Sequence, residues 1–144
     1  LAAARAFEES HPDTTVAVAD ARFMKPLDHA LIAQLAEQSD VILTIEEGSI
    51  GGFGSHVQSW MSDEGLLDGD LLFRSMVIPD KWIEQGPQKD QYDIAQLNSP
   101  HIQAKIEELV QRVRARASKK RAKTDGARSV QSSRSSMPQA IPLQ

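Results

Sequence analysis

The residues best suited to chemistry lie in one run, Glu46-Glu47-Gly48-Ser49-Ile50-Gly51-Gly52-Phe53-Gly54. Two carboxylates close an apolar stretch, and glycines lead out of it. A carboxylate pair can serve as general acid and base. Adjacent residues on a strand point to opposite faces, however, so Glu46 and Glu47 share a reaction centre only if the strand has already ended. Gly48, Gly51, Gly52 and Gly54 permit positive φ and close backbone approach. Free N–H groups at a helix start can bind phosphate. The spacing is neither GxGxxG nor GxxxxGK[ST], and no Lys follows. A tight strand-to-helix connection accounts for the same glycines. Pairing with Arg or with backbone N–H groups accounts for the carboxylates, at the end of a strand where α/β proteins place functional groups.

Other chemistries fit less well. His11, His29, His56 and His101 are dispersed, with no HxxxH or HExxH pair, so a metal site is not expected. Ser49 sits in Gly-Ser-Ile-Gly, which is not the GxSxG elbow of a serine hydrolase. Asp63, Glu64, Asp68 and Asp70 are close in sequence, but their order is not that of a calcium loop. The chain has no Cys, which removes disulfides and thiolate metal sites. No apolar run approaches the ~18 residues of a membrane span.

Charge divides the chain. Residues 112–144 hold nine bases (Arg112, Arg114, Arg116, Lys119, Lys120, Arg121, Lys123, Arg128 and Arg134) against one acid, Asp125, for +8. The preceding 111 residues hold seven bases and nineteen acids, for −12. A basic tail can touch nucleic acid through phosphates. This one lacks interleaved aromatics, so base stacking is not supported and nucleic acid is not the expected partner. Its sparse apolar content predicts a disordered, Ser-rich tail over 118–144, after a domain over 1–117.

The elements that must position the glycine run alternate in kind. Residues 1–9 read as a helix already under way, with Leu rather than Met at its head. Thr14–Ala19 is β-branched and apolar and predicts a strand. Asp28 suits an N-cap, and Leu27, Leu31, Ile32, Leu35 and Ala36 form a helical stripe to about Gln38. Val41–Ile45 predicts a strand covered on both faces. Val57, Trp60 and Met61 mark a helix ending near Gly65. Leu71–Ile78 predicts a third strand, closed by Pro79-Asp80. Trp82-Ile83 suggests a short helical turn, and Gly86-Pro87 a breaker. Ser99, as a cap before Pro100, starts a last helix whose stripe is Ile102, Ile106, Leu109, Val110 and Val113. This order predicts an α/β domain, three-layer α/β/α, with a mainly parallel sheet. Three strands make a thin sheet, and a strand before Leu1 would complete it.

The residues also carry a family likeness. Asp20-Ala21-Arg22-Phe23-Met24-Lys25-Pro26-Leu27-Asp28 resembles the D-x-R-F-x-K-P-L-D stretch of 1-deoxy-D-xylulose-5-phosphate synthases. Thr44–Ser55 resembles their strand and glycine turn. Val77–Gly86 is similar to their L-P-D-x-[FYW]-I-x-x-G segment. The glycine turn alone is shared with β-subunits of 2-oxo-acid dehydrogenases, but the other two segments favour the synthases. Coverage runs from about residue 1 to 111.

The resemblance implies a transketolase C-terminal-like domain lacking its first strand. It implies an enzyme that uses thiamine diphosphate and Mg2+ to condense pyruvate with glyceraldehyde 3-phosphate, releasing carbon dioxide and giving 1-deoxy-D-xylulose 5-phosphate for isoprenoid, thiamine and pyridoxal synthesis. In that family the cofactor is bound by the N-terminal and central domains. Asp68-Gly69-Asp70 has the wrong order for the diphosphate motif, so no catalytic, cofactor-binding or metal residue carries over. Asp20, Arg22, Lys25, Pro26, Asp28, Glu46, Glu47, Gly48, Gly51, Gly52, Gly54, Pro79 and Asp80 carry over as marks of a packing and dimer-supporting domain. The implied partners are the two preceding domains and a second copy, with no membrane. A cytoplasmic, bacterial-like location is expected, with a plastid also admissible. The 144 residues alone are expected to be inactive. The alternatives are the end of a 2-oxo-acid dehydrogenase β-type subunit and a non-catalytic module binding an anion or nucleic acid.

Overall fold

A computed structural model describes the backbone of residues 1–135 and the side chains of residues 1–124. The chain forms two compact units, Leu1–Val110 and Gln111–Gln144. The first holds α1 (Ala2–Ser10), α2 (His29–Gln38), β1 (Val41–Ile45), α3 (Phe53–Asp63), β2 (Leu72–Met76) and α4 (Gln88–Ala95). The last helix, α5, spans Ser99–Ser135.

β1 and β2 pair in parallel, with Val41 beside Leu72 and Ile45 beside Met76. Alternate residues of a strand face opposite ways, so the sheet presents two different surfaces. On one, Val57, Met61 and Phe73 are buried, with Ile32, Ala36, Ile42 and Trp60 packed around them. On the other, Met76, Ala95 and Leu97 are buried, with Leu43, Ile78, Tyr92 and Ile102 against them. α2 and α3 thus cover one face, and α4 with the start of α5 the other. This is an α/β domain with helices on both sides of a parallel sheet. Phe7 of α1 is fully buried. Its ring stacks on His11, centroids 4.2 Å apart, and His11 Nε2 lies 2.8 Å from the Glu107 carboxylate of α5.

Several elements depart from the sequence expectation. The sheet has two strands, not three, because Thr14–Ala19 pairs with neither. That segment is mostly exposed, Val18 by 55%. β-branched residues favour a strand only where an edge is available to pair with. Val16 N–H instead donates to Glu8 Oε1 at 2.8 Å, and Thr14 N–H to His11 O at 3.0 Å. Trp82-Ile83 forms no helical turn. α4 is an additional helix, hidden in the sequence because Gln88–Ala95 is largely polar. Its C-cap, Gln96, is left-handed at φ 59°, a conformation usually given to glycine. α5 begins at Ser99, with Asn98 O accepting from Ile102 N–H at 3.1 Å, so Pro100 is the second helical residue.

In the second unit the backbone is helical to Ser135, where disorder is expected from the sequence. Arg, Ala and Lys dominate residues 112–123, and these are strong helix formers without any packing. Ser118 Oγ and Thr124 Oγ1 donate back to the carbonyls of Arg114 and Lys120, at 3.0 and 2.9 Å. Residues 136–144 of the expected tail lie outside the described residues.

Candidate functional site

The glycine run links the end of β1 to the start of α3. A helix start leaves N–H groups without intrahelical partners. Here the Glu46 side chain takes two of them. Phe53 N–H donates to Oε2 and Gly54 N–H to Oε1, each at 2.8 Å. The anion at the positive end of the helix dipole is therefore a side chain of the same turn.

This arrangement explains the glycines. A Cβ on Gly52 would collide with the Glu46 carboxylate, and one on Gly48 would lie 2.7 Å from its Oε2. Gly54 is buried over the sheet, where a Cβ would lie 2.6 Å from Thr44 Oγ1 and clash with Ser75 Oγ. Those two hydroxyls bond to each other at 2.9 Å, Thr44 donating. Gly51 has φ 99°, which requires glycine. Its N–H donates to Ser55 Oγ at 3.0 Å.

Glu47 turns to the other face. The Tyr92 hydroxyl of α4 donates to Glu47 Oε1. It also accepts from Gln88 Nε2 at 2.7 Å. The bond to the carboxylate holds the Tyr92 hydroxyl above its ordinary pKa. Burial and the negative charge of Glu47 push the same way, and the Gln88 bond opposes them. The two adjacent glutamates thus have separate partners on opposite sides of the sheet and share no centre.

The structure brings two of the three singled-out segments together. Ile78 N–H donates to Gly48 O at 2.9 Å, which stitches the Pro79-Asp80 segment to the glycine turn at the carboxyl end of the sheet. Asp20–Asp28 forms its own loop before α2. Asp20 Oδ1 accepts from Arg22 N–H at 3.0 Å, with Arg22 at φ 55°. The Lys25–Pro26 bond is cis. Asp28 Oδ1 caps α2 by accepting from Leu31 N–H at 3.0 Å. The loop borders an open depression of about 450 Å³, with Phe23, Pro26 and Leu27 in its wall.

The Ser49 hydroxyl turns to the carbonyl of Ile50. Among the described residues no three His, Cys, Asp or Glu side chains stand together as a metal set. A thiamine diphosphate site needs donors for Mg2+ and for the diphosphate. At the start of α3, Glu46 already fills the place that could receive the anion.

The profile of the transketolase C-terminal domain matches residues 1–102. The chain belongs to that family. It is 54% identical over 104 residues to 1-deoxy-D-xylulose-5-phosphate synthase 1, chloroplastic, of Cannabis sativa, covering 72% of this chain and 14% of that protein. Identity is 54% over 97 residues to the probable synthase 2 of Oryza sativa subsp. japonica, 67% of this chain and 14% of that protein. It is 51% over 106 residues to the probable synthase of Capsicum annuum, 74% and 14%. The chain thus spans about a seventh of the length of these relatives. A transketolase C-terminal domain is one part of a multi-domain chain, which suits a turn whose charges are satisfied within the domain.

Tyr92 and Gln88 were not singled out from the sequence. The available signal was their i, i+4 spacing after Pro87. The Thr44–Ser75 pair likewise became visible only once the strands were in register.

Proposed function

We propose that this chain is the C-terminal domain of a longer 1-deoxy-D-xylulose-5-phosphate synthase. The observation that carries this reading is identity of 51–54% over about a hundred residues to plant proteins of that name. The full protein would condense pyruvate with glyceraldehyde 3-phosphate using thiamine diphosphate and Mg2+, held by other domains of the same chain. The domain described here would support packing against them and the pairing of two copies. Asp20, Arg22, Lys25, Pro26, Asp28, Glu46, Glu47, the turn glycines, Pro79 and Asp80 would serve that scaffold. The chloroplastic plant relatives favour a plastid over the cytoplasm for the full protein.

A chimera tests this. Residues 1–111 replace the matching segment of the Cannabis sativa relative, and formation of 1-deoxy-D-xylulose 5-phosphate is followed. Activity close to that of the parent is the expected result, with none from residues 1–144 alone. A folded chimera without activity, or turnover by the 144-residue chain, would overturn the reading.

A further inference from the structure

We propose that Tyr92 is the latch of a movable strap, residues 79–95, which lies against the carboxyl end of the sheet and lifts as a unit when the Tyr92 hydroxyl releases Glu47.

The strap has few holds. Asp80–Gln88 is exposed except for Ile83, and Trp82 is 84% exposed. Up to α4 the strap has no regular structure. The Tyr92–Glu47 bond is a side-chain hydrogen bond that joins the strap to the turn after β1. The Gln91 Nε2 bond to Glu84 O, 3.1 Å, lies within the strap. The Asn98 Nδ2 bonds to Lys89 O and Asp93 Oδ1, 3.1 and 3.3 Å, tie it to the residue just before α5, and Asp93 Oδ1 also lies 3.8 Å from His101 Nε2 of α5. Apolar contact comes from Ile83, Tyr92 and Ala95 against Met76, Leu43 and Leu97. Segments with few buried contacts and exposed backbone open below the global unfolding free energy.

Both ends of the strap have natural pivots. At one end, the Ile78 N–H bond to Gly48 O closes the ordered run that follows β2. At the other, Gln96 is held in the left-handed region, a strained conformation for a non-glycine residue. The body under the strap is fastened separately. Glu46 caps α3, and Glu46 N–H donates to Met76 O at 3.1 Å. Release of Tyr92 therefore leaves β1, β2 and α3 intact. It uncovers Glu47 and the Leu43–Met76 surface at the carboxyl end of the strands, where open α/β sheets form their crevices.

Native-state hydrogen exchange on the 144-residue chain, with Tyr92→Phe and Glu47→Ala variants, tests the latch. Both variants should speed exchange of the α4 amides several-fold and leave those of α3 and β2 unchanged. Tyr92 is the sole tyrosine, so tyrosinate absorbance reports the latch directly. Its titration midpoint should lie above the ordinary value in the parent chain and fall in Glu47→Ala. Three results would overturn the proposal: α4 exchange unmoved by either variant, α4 and the strands exchanging together, or a midpoint indifferent to Glu47. A parent chain whose α4 amides are already unprotected would do the same.

Discussion

The two faces of the sheet are held in different ways. On the α3 face the contact is close and local. Gly54 rests on the Thr44–Ser75 hydroxyls, Val57 and Met61 are almost wholly buried, and Glu46 reaches seven and eight residues along the chain to cap its own helix. On the α4 face the helix arrives after a long irregular segment. It is held to the sheet side by a small apolar cluster and a hydroxyl–carboxylate bond from Tyr92 to Glu47, 45 residues away, and to the start of α5 through Asn98. Neighbouring glutamates of one type therefore do opposite work. Glu46 satisfies the turn from within, whereas Glu47 fastens a separate element to it. A short connection lets packing and capping reinforce each other; a long one leaves a helix dependent on a few contacts.

Substitutions should expose this asymmetry in graded steps. Met61→Ala should have the largest effect, about 2–5 kcal/mol, from the lost burial and the cavity left behind. The fall in urea midpoint measures it. If the loss were below 1 kcal/mol, the α3 face would not be the better-packed one. Gly54→Ala should cost roughly 1–3 kcal/mol by overpacking against Thr44 and Ser75. Adding Thr44→Ala and Ser75→Ala should recover part of that loss, and no recovery would disprove the steric cause.

Glu46→Ala should cost about 0.5–2 kcal/mol, the range for a lost helix cap. Its exchange signature should be confined to the first turn of α3; equal fraying in α4 would erase the distinction between the two glutamates.

Tyr92→Phe should have the smallest effect at neutral pH and the most specific one in alkali. The folded-state pKa of Tyr92 is raised above its ordinary 10.0. A proton held more tightly in the native state gives stability that is complete below about pH 10 and lost as pH rises through the folded-state value. The parent chain should therefore lose stability above about pH 10 more steeply than Tyr92→Phe. Parallel pH–stability curves for the two would show that the bond to Glu47 is not formed in solution.

Much of the α3 face was legible in the sequence. The apolar run Val41–Ile45 is β1 to the residue, although only Thr44 in it is buried and Ile45 is 44% exposed. Asp28 caps α2, and Val57, Trp60 and Met61 line α3, because local periodicity specifies both. Trp60 also stacks on His29, centroids 4.5 Å apart, a contact between two helices that neither helical pattern contains. The α4 face was less legible. Its helix has a weak apolar stripe, and its latch joins residues far apart in the chain. Thr14–Ala19 failed as a strand because side-chain type records a preference, while pairing needs a neighbouring edge.

The sequence by itself determined α1, α2, α3, β1, β2 and the start of α5, the charge division near residue 111, and the glycine turn with its family likeness. Tertiary structure decided what those residues do. It placed Glu46 on the amides of α3 and so removed the helix start as a site for an outside anion. It sent Glu47 across to Tyr92, and it set Thr44 and Ser75 beneath Gly54. The physical reason is that periodicity and capping are written within a few residues, whereas the partner of a carboxylate or hydroxyl is set by which elements meet when the sheet and its helices pack.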